Sequence, residues 1–358
     1  MQHFLISFIT PHCDTIGKKI CEYFGKRGTD SDIIFYNGVD KNNDVFITVM
    51  PKEYPDKLKP LLQCMAIGKY HVLLISPDDK LDPLMGEMIV ALGSDPKVIP
   101  LVVIAGITKT NEFLIPNLKK KLMKIIKTTS LNDKIDNIII LKDLDSDLSR
   151  LKGKFKEYKT QEINKEVAVH ILIDAAFSVK GIGTVILGII KTGHLKAGDM
   201  LELTLADGST KNVIAKSIQM QDMDHKTASE GDRVGLAVKG IKPNEISRDN
   251  SLITKGTMKS SPEITIEFQL NKFANKSLNV KDKQLYHISI DHQVHPAVPI
   301  NISDGKNNDI LKPGEKGKVT FKAEKHFWFN ESNNHAIVTI LEKFTGQLRI
   351  LGSGHVLI

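Results

Sequence analysis

Cysteines and long apolar runs are scarce in this chain. Its 358 residues include only three cysteines, Cys13, Cys21 and Cys64, and no Cys-x-x-Cys pair. This scarcity excludes a disulfide framework and a cysteine-rich zinc site, and it is typical of a reducing compartment. The apolar runs, such as Val98–Ile104, are too short to cross a bilayer and predict buried strands. Because the N-terminus also lacks a signal-peptide pattern, we expect a cytoplasmic protein without a membrane partner.

A dense tract of one charge is also lacking. The formal net charge is +7, with a sequence pI near 9.0. Lysine and arginine neutralise phosphates, so a basic balance is compatible with RNA. The basic residues are spread along the whole chain, and nothing in the sequence points to DNA. Charge therefore favours an RNA partner only slightly.

Strand-like and helix-like segments alternate over the first 155 or so residues. The runs His71–Ser76 and Val98–Ala105 have the continuous apolar character of buried strands, and Leu84–Leu92 and Glu112–Thr128 have helical spacing. A further helix is predicted at Gly17–Gly25. Buried strands that alternate with helices predict a parallel, doubly wound sheet.

Helical periodicity disappears after a charged segment at 150–166. Short β-rich runs bounded by Gly, Asp and Asn follow, for example Thr184–Ile190 and Val319–Ala323. This pattern predicts β barrels. The fold class is therefore α/β plus all-β. The predicted domains are a doubly wound α/β domain at 1–158, a β barrel at 165–258 and a second β barrel at 259–358.

The middle of the chain carries the most specific motifs. They are Phe-Ser-Val-Lys-Gly-Ile-Gly-Thr-Val at 177–185, Leu-Lys-Ala-Gly-Asp at 195–199 and Gly-Asp-Arg-Val-Gly-Leu at 231–236. Gly181 and Gly183 suit a tight turn between two strands. These motifs resemble the second domain of elongation factor Tu relatives and are most similar to the archaeal selenocysteine-specific elongation factor. The resemblance implies a P-loop-GTPase-like domain followed by two β barrels.

The last residues, 335–358, resemble the end of that factor's third domain. The resemblance implies that the fourth domain, which recognises the recoding RNA or its partners, is missing. We therefore expect that this protein does not perform the recoding step in the family's usual way.

The family's phosphate loop reads Gly-His-x-Asp-x-Gly-Lys-Thr, and it is altered here. Four residues match that pattern, with one extra residue inserted before the glycine: His12, Asp14, Gly17 and Lys18. Pro11 replaces the first glycine and offers no backbone N–H. Lys19 replaces the hydroxyl that the family uses to hold Mg²⁺. The resemblance marks the four matching residues as a vestigial nucleotide site.

Two further GTPase motifs are altered. The family's Asp-x-Pro-Gly-His becomes 49–53, in which only the proline survives, and Lys52 and Glu53 replace the switch glycine and the catalytic histidine. The guanine-reading motif becomes 108–111, which keeps Lys109 and replaces the final aspartate by Asn111. An amide presents a donor where the carboxylate accepts, and a mispaired buried contact costs on the order of 1–3 kcal/mol. We expect no catalytic residues and no GTP hydrolysis.

In elongation factor Tu relatives the second barrel holds the 3′ end of aminoacyl-tRNA. The resemblance places Gln219 where the family contacts the terminal adenosine, and Asp174 and Arg233 in the aminoacyl pocket. Ala175 stands where the selenocysteine factor has a histidine, so selenocysteyl-tRNA specificity is in doubt. A structural ion pair between Asp174 and Arg233 is an equally good interpretation of those two residues.

A histidine-rich stretch, 287–295, is the remaining cluster of metal-ligating side chains. In one alternating strand His287, Asp291 and His295 would share a face and His292 would take the other. Such a set is more typical of a surface or a core than of a metal centre, so we expect neither a metal nor another cofactor.

The main hypothesis is an elongation-factor-like pseudo-GTPase that binds tRNA, another RNA or the ribosome without GTP hydrolysis. Two alternatives stay open. One is an elongation factor that still binds GTP or GDP with Mg²⁺ through an atypical loop. The other is a protein-binding adaptor that keeps the factor's shape.

Overall fold

The chain divides into two compact units. The computed structural model describes residues 2–10, 14–28, 31–158, 167–303 and 309–358. The first unit comprises Met1–Gln161 and Leu341–Ile350, and the second comprises Glu162–Ile340 and Leu351–Ile358. The predicted domain boundaries after 158 and 258 stay predictions. No helix in the described part of the chain is long and apolar enough to cross a membrane.

The first unit is built on a seven-stranded sheet in the order β2-β3-β4-β1-β5-β6-β7. Strands β4, β1, β5, β6 and β7 are parallel to one another. The strands are β1 (His3–Ile9), β2 (Lys26–Arg27), β3 (Ile33–Val39), β4 (Val45–Pro51), β5 (Tyr70–Ile75), β6 (Ile99–Ile104) and β7 (Ile139–Ile140). The helices are α1 (Asp14–Phe24), α2 (Lys59–Ile67), α3 (Pro83–Leu92), α4 (Ile115–Ile126) and α5 (Leu144–Glu157). The alternating pattern therefore predicted the α/β class correctly.

One edge of this sheet is antiparallel, which the sequence interpretation missed. Strand β3 pairs antiparallel with β4, and β2 pairs antiparallel with β3. Only residues 40–44 connect β3 to β4, whereas a parallel crossover needs a dozen or more residues. The Asp40 carboxylate accepts from the amides of Asn42 and Asp44 at 2.9 and 3.0 Å, and Asn43 takes a positive φ of 61°. These contacts make 40–44 a tight hairpin turn.

The helices cover an aromatic core. Phe4 and Phe46 stack with ring centroids 4.7 Å apart, and Phe155 of α5 packs edge-on against Phe24 and Tyr70. All five side chains are nearly inaccessible to solvent. Burying them contributes to the hydrophobic stabilisation of the unit, since one large apolar side chain contributes roughly 1.5–3 kcal/mol.

The second unit begins with a barrel whose closed ring runs β11-β16-β8-β9-β15-β12; β13 extends β12, and β10 and β14 form a separate two-stranded sheet. Strand β11 pairs with β16 on one side and with β12 on the other, and this double pairing closes the ring. The strands are β8 (His170–Val179), β9 (Gly183–Thr192), β10 (His194–Lys196), β11 (Met200–Thr204), β12 (Thr210–Met220), β13 (Met223–His225), β14 (Thr227–Ser229), β15 (Arg233–Lys239) and β16 (Ser251–Ile253). The Gly181–Gly183 turn between β8 and β9 has positive φ at both glycines, 82° and 103°, as a tight hairpin requires.

A second closed barrel follows, in the order β17-β22-β20-β19-β23-β24. Its strands, with a small separate sheet of β18 and β21, are β17 (Lys259–Leu270), β18 (Leu278–Asn279), β19 (Tyr286–Ile290), β20 (Gln293–Ser303), β21 (Ile310–Leu311), β22 (Lys316–Phe329), β23 (His335–Thr339) and β24 (Ile350–Val356). Both predicted barrels are therefore confirmed.

The histidine-rich stretch is a hairpin and not a single strand. Residues Asp291 and His292 form the turn between β19 and β20, and Asp291 has a φ of 52°. The shared face predicted for His287, Asp291 and His295 is therefore wrong, because the chain reverses between them. Among the described residues no group of three or more His, Cys, Asp or Glu side chains is arranged to hold a metal ion.

Candidate functional site

The phosphate-loop region takes a helical conformation where the structure describes it. Helix α1 begins at Asp14, three residues before the predicted start at Gly17. An α-helix leaves only its first four N–H groups without an intrahelical acceptor. The amide of Lys18 therefore lies inside the hydrogen-bonded ladder. His12 and the Asp14 side chain lie outside the described residues.

Gly17 packs closely against the sheet. A Cβ added at Gly17 would lie 2.6 Å from the terminal methyl of Met50, and 3.6 Å from Leu74 Cδ2. The glycine thus lets α1 approach β4 and β5 closely. Lys18 and Lys19 are both exposed. Of the predicted phosphate-loop residues, Gly17 faces the core and Lys18 faces solvent.

The positions that correspond to the family's switch motif make local contacts. Pro51 is buried at the end of β4, and the amide of Lys52 donates to the carbonyl of Asp32 at 2.9 Å. The Glu53 carboxylate forms an exposed ion pair with Lys57, four residues on. The residue at the family's catalytic position is therefore a partner in a surface salt bridge.

Asn111, at the guanine-reading position, is 4% exposed and held from three sides. Its carbonyl oxygen accepts from the amide of Thr108 at 2.7 Å. Its amide nitrogen donates to the Asp78 carboxylate at 2.6 Å and to the carbonyl of Gly106 at 3.2 Å. The side chain thus closes its own loop, and its oxygen already has a donor. Lys109 in the same loop is exposed.

A buried ion pair lies in the same unit, and the sequence interpretation missed it. The Glu87 side chain in α3 is completely buried and pairs with Arg349 of the segment Leu341–Ile350, with Arg349 Nη2 at 2.6 Å from Glu87 Oε1. Tyr54 donates to Glu87 at 3.1 Å, and Arg349 also donates to the carbonyls of Pro55 and Glu342 at 2.8 and 3.1 Å. Burial, reinforced by the charge of Glu87, raises the pKa of Tyr54 well above its usual range.

Three positions that the family uses to bind GTP with Mg²⁺ make contacts within the chain itself. The oxygen of Asn111 is satisfied within its own loop, Glu53 is paired with Lys57, and Gly17 faces Met50. A guanine reader needs a side chain that accepts from the base, and a phosphate cradle needs backbone amides outside a helical ladder. The oxygen of Asn111 accepts within its own loop, whereas the first amides of α1 lie outside the helical ladder, and residues 11–13 are outside the described part of the chain.

In the first barrel, the structure brings two of the three predicted tRNA-end residues together. Arg233 Nη2 donates to Asp174 Oδ2 at 2.9 Å. A second arginine, Arg248, lies with its Nη2 3.6 Å from Asp174 Oδ1 and donates through Nε to the Asp174 carbonyl at 3.2 Å. The carboxylate is therefore held between two cations. The role of Arg248 has no signal in the sequence beyond a basic residue in a turn.

Gln219 lies apart from that ion pair. It pairs with Gly235, which pairs with Leu187, which pairs with Ala175, so three strand steps separate Gln219 from Ala175. At about 4.8 Å a step, the separation is about 14 Å. The Gln219 amide donates to Asp224 at 2.8 Å, and both Gln219 and Ala175 are exposed. They belong to the outer face of the barrel sheet.

A buried polar cluster joins the two barrels within the second unit. Lys191 of β9 pairs with Asp291, whose Oδ2 lies 3.8 Å from His170 Nε2. The ring of His292 hydrogen-bonds the carbonyl of Ile173 through Nδ1 at 3.0 Å. Burial lowers the pKa of both His170 and His292 to about 4, so both rings are neutral near pH 7. The turn Asp291–His292 is thereby fixed against the strand that carries Asp174.

An α/β unit with this sheet order, followed in the chain by two closed barrels, is the fold of a translation elongation factor. Residues 183–248 match the family described as Elongation factor Tu domain 2. Translation elongation factor SelB from Methanococcus maripaludis, solved with the GTP analogue GppNHp, has a TM-score of 0.82 at 21% identity, covering 100% of this chain and 79% of that one. At that identity the likeness establishes the fold.

Sequence relatives agree with this class. The chain is 27% identical to an uncharacterised protein of Methanocaldococcus jannaschii over 96% of both lengths. It is 29% identical to the selenocysteine-specific elongation factor of the same organism, over 66% of this chain and 52% of that factor. The predicted resemblance to the elongation factor Tu superfamily, and within it to the selenocysteine-specific factor, is therefore confirmed. The predicted roles of individual site residues stay predictions.

Proposed function

We propose that this protein is an elongation-factor-like pseudo-GTPase that binds tRNA or the ribosome without a cycle of GTP hydrolysis. One contrast carries the proposal. The first barrel keeps the elongation factor Tu domain 2 pattern, whereas the guanine-reading position of the α/β unit is occupied by Asn111, whose hydrogen bonds are internal. A chain that keeps the domain 2 pattern, and in which the guanine-reading residue bonds to other residues of the chain, fits RNA binding without a nucleotide switch.

The outer face of the first barrel supports the same proposal. Gln219 is exposed, and Ala175 and Leu187 in its cross-strand row have no charge. Beyond Ala175 lies Asp174, whose carboxylate is neutralised by Arg233 and Arg248. An uncharged surface next to two arginines suits a nucleotide base with its phosphate. No catalytic residue and no cofactor is part of the proposal.

Binding of labelled aminoacyl-tRNA, measured by fluorescence anisotropy with and without GTP, tests the proposal. We expect affinity that falls steeply with salt, because phosphate contacts release counterions, and that is the same with and without GTP. Substituting Arg233→Met should weaken binding by about 1–3 kcal/mol, the usual cost of a lost buried polar contact.

The control is Lys322→Met, which removes a cation–carboxylate contact elsewhere, the exposed pair of Lys322 with Glu263 in the second barrel. It should leave tRNA affinity unchanged. Absence of tRNA and ribosome binding at low salt, or capture of a protein partner that is insensitive to salt, would overturn the proposal.

A further inference from the structure

Helix α4 and its flanks concentrate the positive charge of the chain. Residues 113–132 contain five lysines and no aspartate or glutamate, so this segment carries +5 when the whole chain has a net charge of +7. Three of the lysines are consecutive, Lys119 to Lys121, and Lys124 and Lys127 follow at helical spacing. In the folded unit, Lys120, Lys124 and Lys127 lie on one side of the helix.

The helix buries one face and presents lysines on the other. Four side chains pack into the unit: Ile115, Leu118, Leu122 and Ile126. At 100° per residue, Lys120, Lys124 and Lys127 fall within about 60° of one another on the opposite side. Lys121 flanks this stripe, and all four lysines are exposed. The stripe extends about 10 Å along the helix axis at about 1.5 Å per residue.

Helix α5 of the same unit is also rich in lysine, but its lysines have acidic partners. Lys156 lies 2.6 Å from both Asp40 and Asp44, and Lys152 lies 3.8 Å from Asp40. Lys154 pairs with Glu157 at 2.6 Å. Although burial opposes it, the hydrogen bond from Lys156 lowers the pKa of Asp40 to about 2. The charges of α5 are therefore balanced within the fold.

The four exposed lysines of α4 have no such partner. None of Lys120, Lys121, Lys124 and Lys127 forms an ion pair with any residue that the structure describes. Glu112, the acidic residue that precedes the segment, is already paired with Lys142 at 2.5 Å. Like charges at this spacing repel one another on a helix. The face is therefore complementary to a ligand that carries several negative charges.

An exposed aromatic ring accompanies these lysines. Phe113 is 74% exposed, the highest value among the large apolar side chains of the described residues. It lies in the short 3-10 helix Glu112–Leu114, which leads directly into α4. An aromatic ring beside a row of cations suits nucleic acid, since a base can stack on the ring while the phosphates meet the cations. In an acidic peptide the carboxylates themselves have no aromatic face to stack on the ring.

We propose that the lysine face of α4, defined by Lys120, Lys121, Lys124 and Lys127 together with Phe113, is an RNA-binding surface. The lysines contact the phosphate backbone, and Phe113 stacks on an unpaired base. The inference rests on the proposed function for its class of ligand, and it adds a surface on the α/β unit to the one predicted on the first barrel.

The salt dependence of binding to fluorescently labelled poly(U) tests this surface. The variant K120Q/K121Q/K124Q/K127Q removes four charges and keeps the helix, because glutamine and lysine have similar helix propensities. Each lysine–phosphate contact contributes about 0.7 to the slope of log affinity against log salt for single strands. The variant should therefore reduce that slope by about 3, whereas F113A should weaken binding about tenfold with the slope unchanged.

Two control variants separate the surface from general charge. The Arg version, K120R/K121R/K124R/K127R, keeps the charges and should keep the slope. The variant K26Q/K41Q/K80Q/K97Q removes four exposed lysines elsewhere in the same unit and should change the slope by less than half as much. Equal slopes for this control and the α4 variant would overturn the inference, as would equal binding of poly-L-glutamate and poly(U).

The same variants distinguish the two proposals. If the α4 variant binds poly(U) and aminoacyl-tRNA like the unmodified protein while R233M loses aminoacyl-tRNA, the α4 surface is refuted and the proposed function stands. If poly(U) binding depends on α4 but aminoacyl-tRNA and ribosomes are not bound, the proposed function is refuted and the surface stands.

Discussion

The two units differ in the contacts that they make at the positions where elongation factors bind their ligands. In the α/β unit, the positions where a GTPase holds its nucleotide make contacts with the chain itself: Gly17 with Met50, Glu53 with Lys57, and Asn111 with Asp78. In the first barrel, Gln219 and Ala175 remain exposed on an outer face. This difference teaches that a fold can keep its shape when ligand contacts are replaced by internal ones.

The comparison predicts that the barrel unit is the more sensitive to acid. Burial lowers the pKa of His170 and His292 to about 4, so between pH 6.5 and 4 the unfolded chain binds protons that the folded barrels do not. Stability therefore falls as pH falls through that window, by about 3 kcal/mol per histidine at 1.36 kcal/mol per pKa unit. Nearby Asp291 opposes the shift, and Lys191 reinforces it. Urea unfolding of the barrels at several pH values measures the loss.

The variant H170N should remove about half of this pH dependence. H225N, at a partly exposed position in β13, is the matched control and should leave it intact. In the α/β unit burial also lowers the pKa of His71. That unit should therefore also lose stability as pH falls, but the loss comes from one histidine and not from two. If the free energy of unfolding of the barrels is constant from pH 7 to pH 4, His170 and His292 are not the buried neutral groups described here.

A second prediction concerns what holds the α/β unit together. If internal contacts stabilise it, E87Q should lower its free energy of unfolding by about 3–5 kcal/mol, because Arg349 would keep a buried charge without its partner. Thermal unfolding, followed with a probe in the α/β unit, measures this loss. Added GTP should not raise the stability of E87Q or of the unmodified protein.

E53Q, which breaks the exposed pair with Lys57, is the control and should have no measurable effect, as expected for a surface pair. An E87Q protein as stable as the unmodified chain would show that the Glu87–Arg349 pair does not hold the unit. A large rise in stability on adding GTP would show that bound nucleotide still stabilises the unit.

The smallest predicted effect comes from restoring the family's aspartate. N111D should destabilise the α/β unit by about 1–3 kcal/mol, because it replaces the donor to Asp78 by a second carboxylate. It should give no gain in affinity for GDP, measured by fluorescence titration. The double variant D78N/N111D reverses donor and acceptor and should recover most of the stability. Tight GDP binding by N111D alone would contradict this account.

The class of fold was predictable because it depends on local periodicity. Apolar runs such as Val98–Ile104 identified the buried strands, and the turn at Gly181 and Gly183 identified a barrel hairpin. The antiparallel edge was missed because β3 and β4 have the same apolar character as the parallel strands. The start of α1 at Asp14 was missed because the resemblance to a phosphate loop suggested an open turn there.

The contacts around the candidate site depend on residues far apart in the chain. Arg349 and Glu87 are 262 positions apart, and no local pattern pairs them. A signal existed nevertheless, since Glu87 is the single charged residue in the apolar helix Pro83–Leu92. The lysine face of α4 was missed although Lys119, Lys120 and Lys121 are consecutive, because the sequence interpretation considered charge over the whole chain and not helix by helix.

Titration of fluorescent GTP and GDP into the purified, nucleotide-free protein with Mg²⁺ tests the central claim most directly. The account predicts no binding at high micromolar nucleotide, because Asn111, Glu53 and Gly17 are engaged within the α/β unit. Tight, Mg²⁺-dependent binding would contradict it and would mean that a nucleotide switch has been kept.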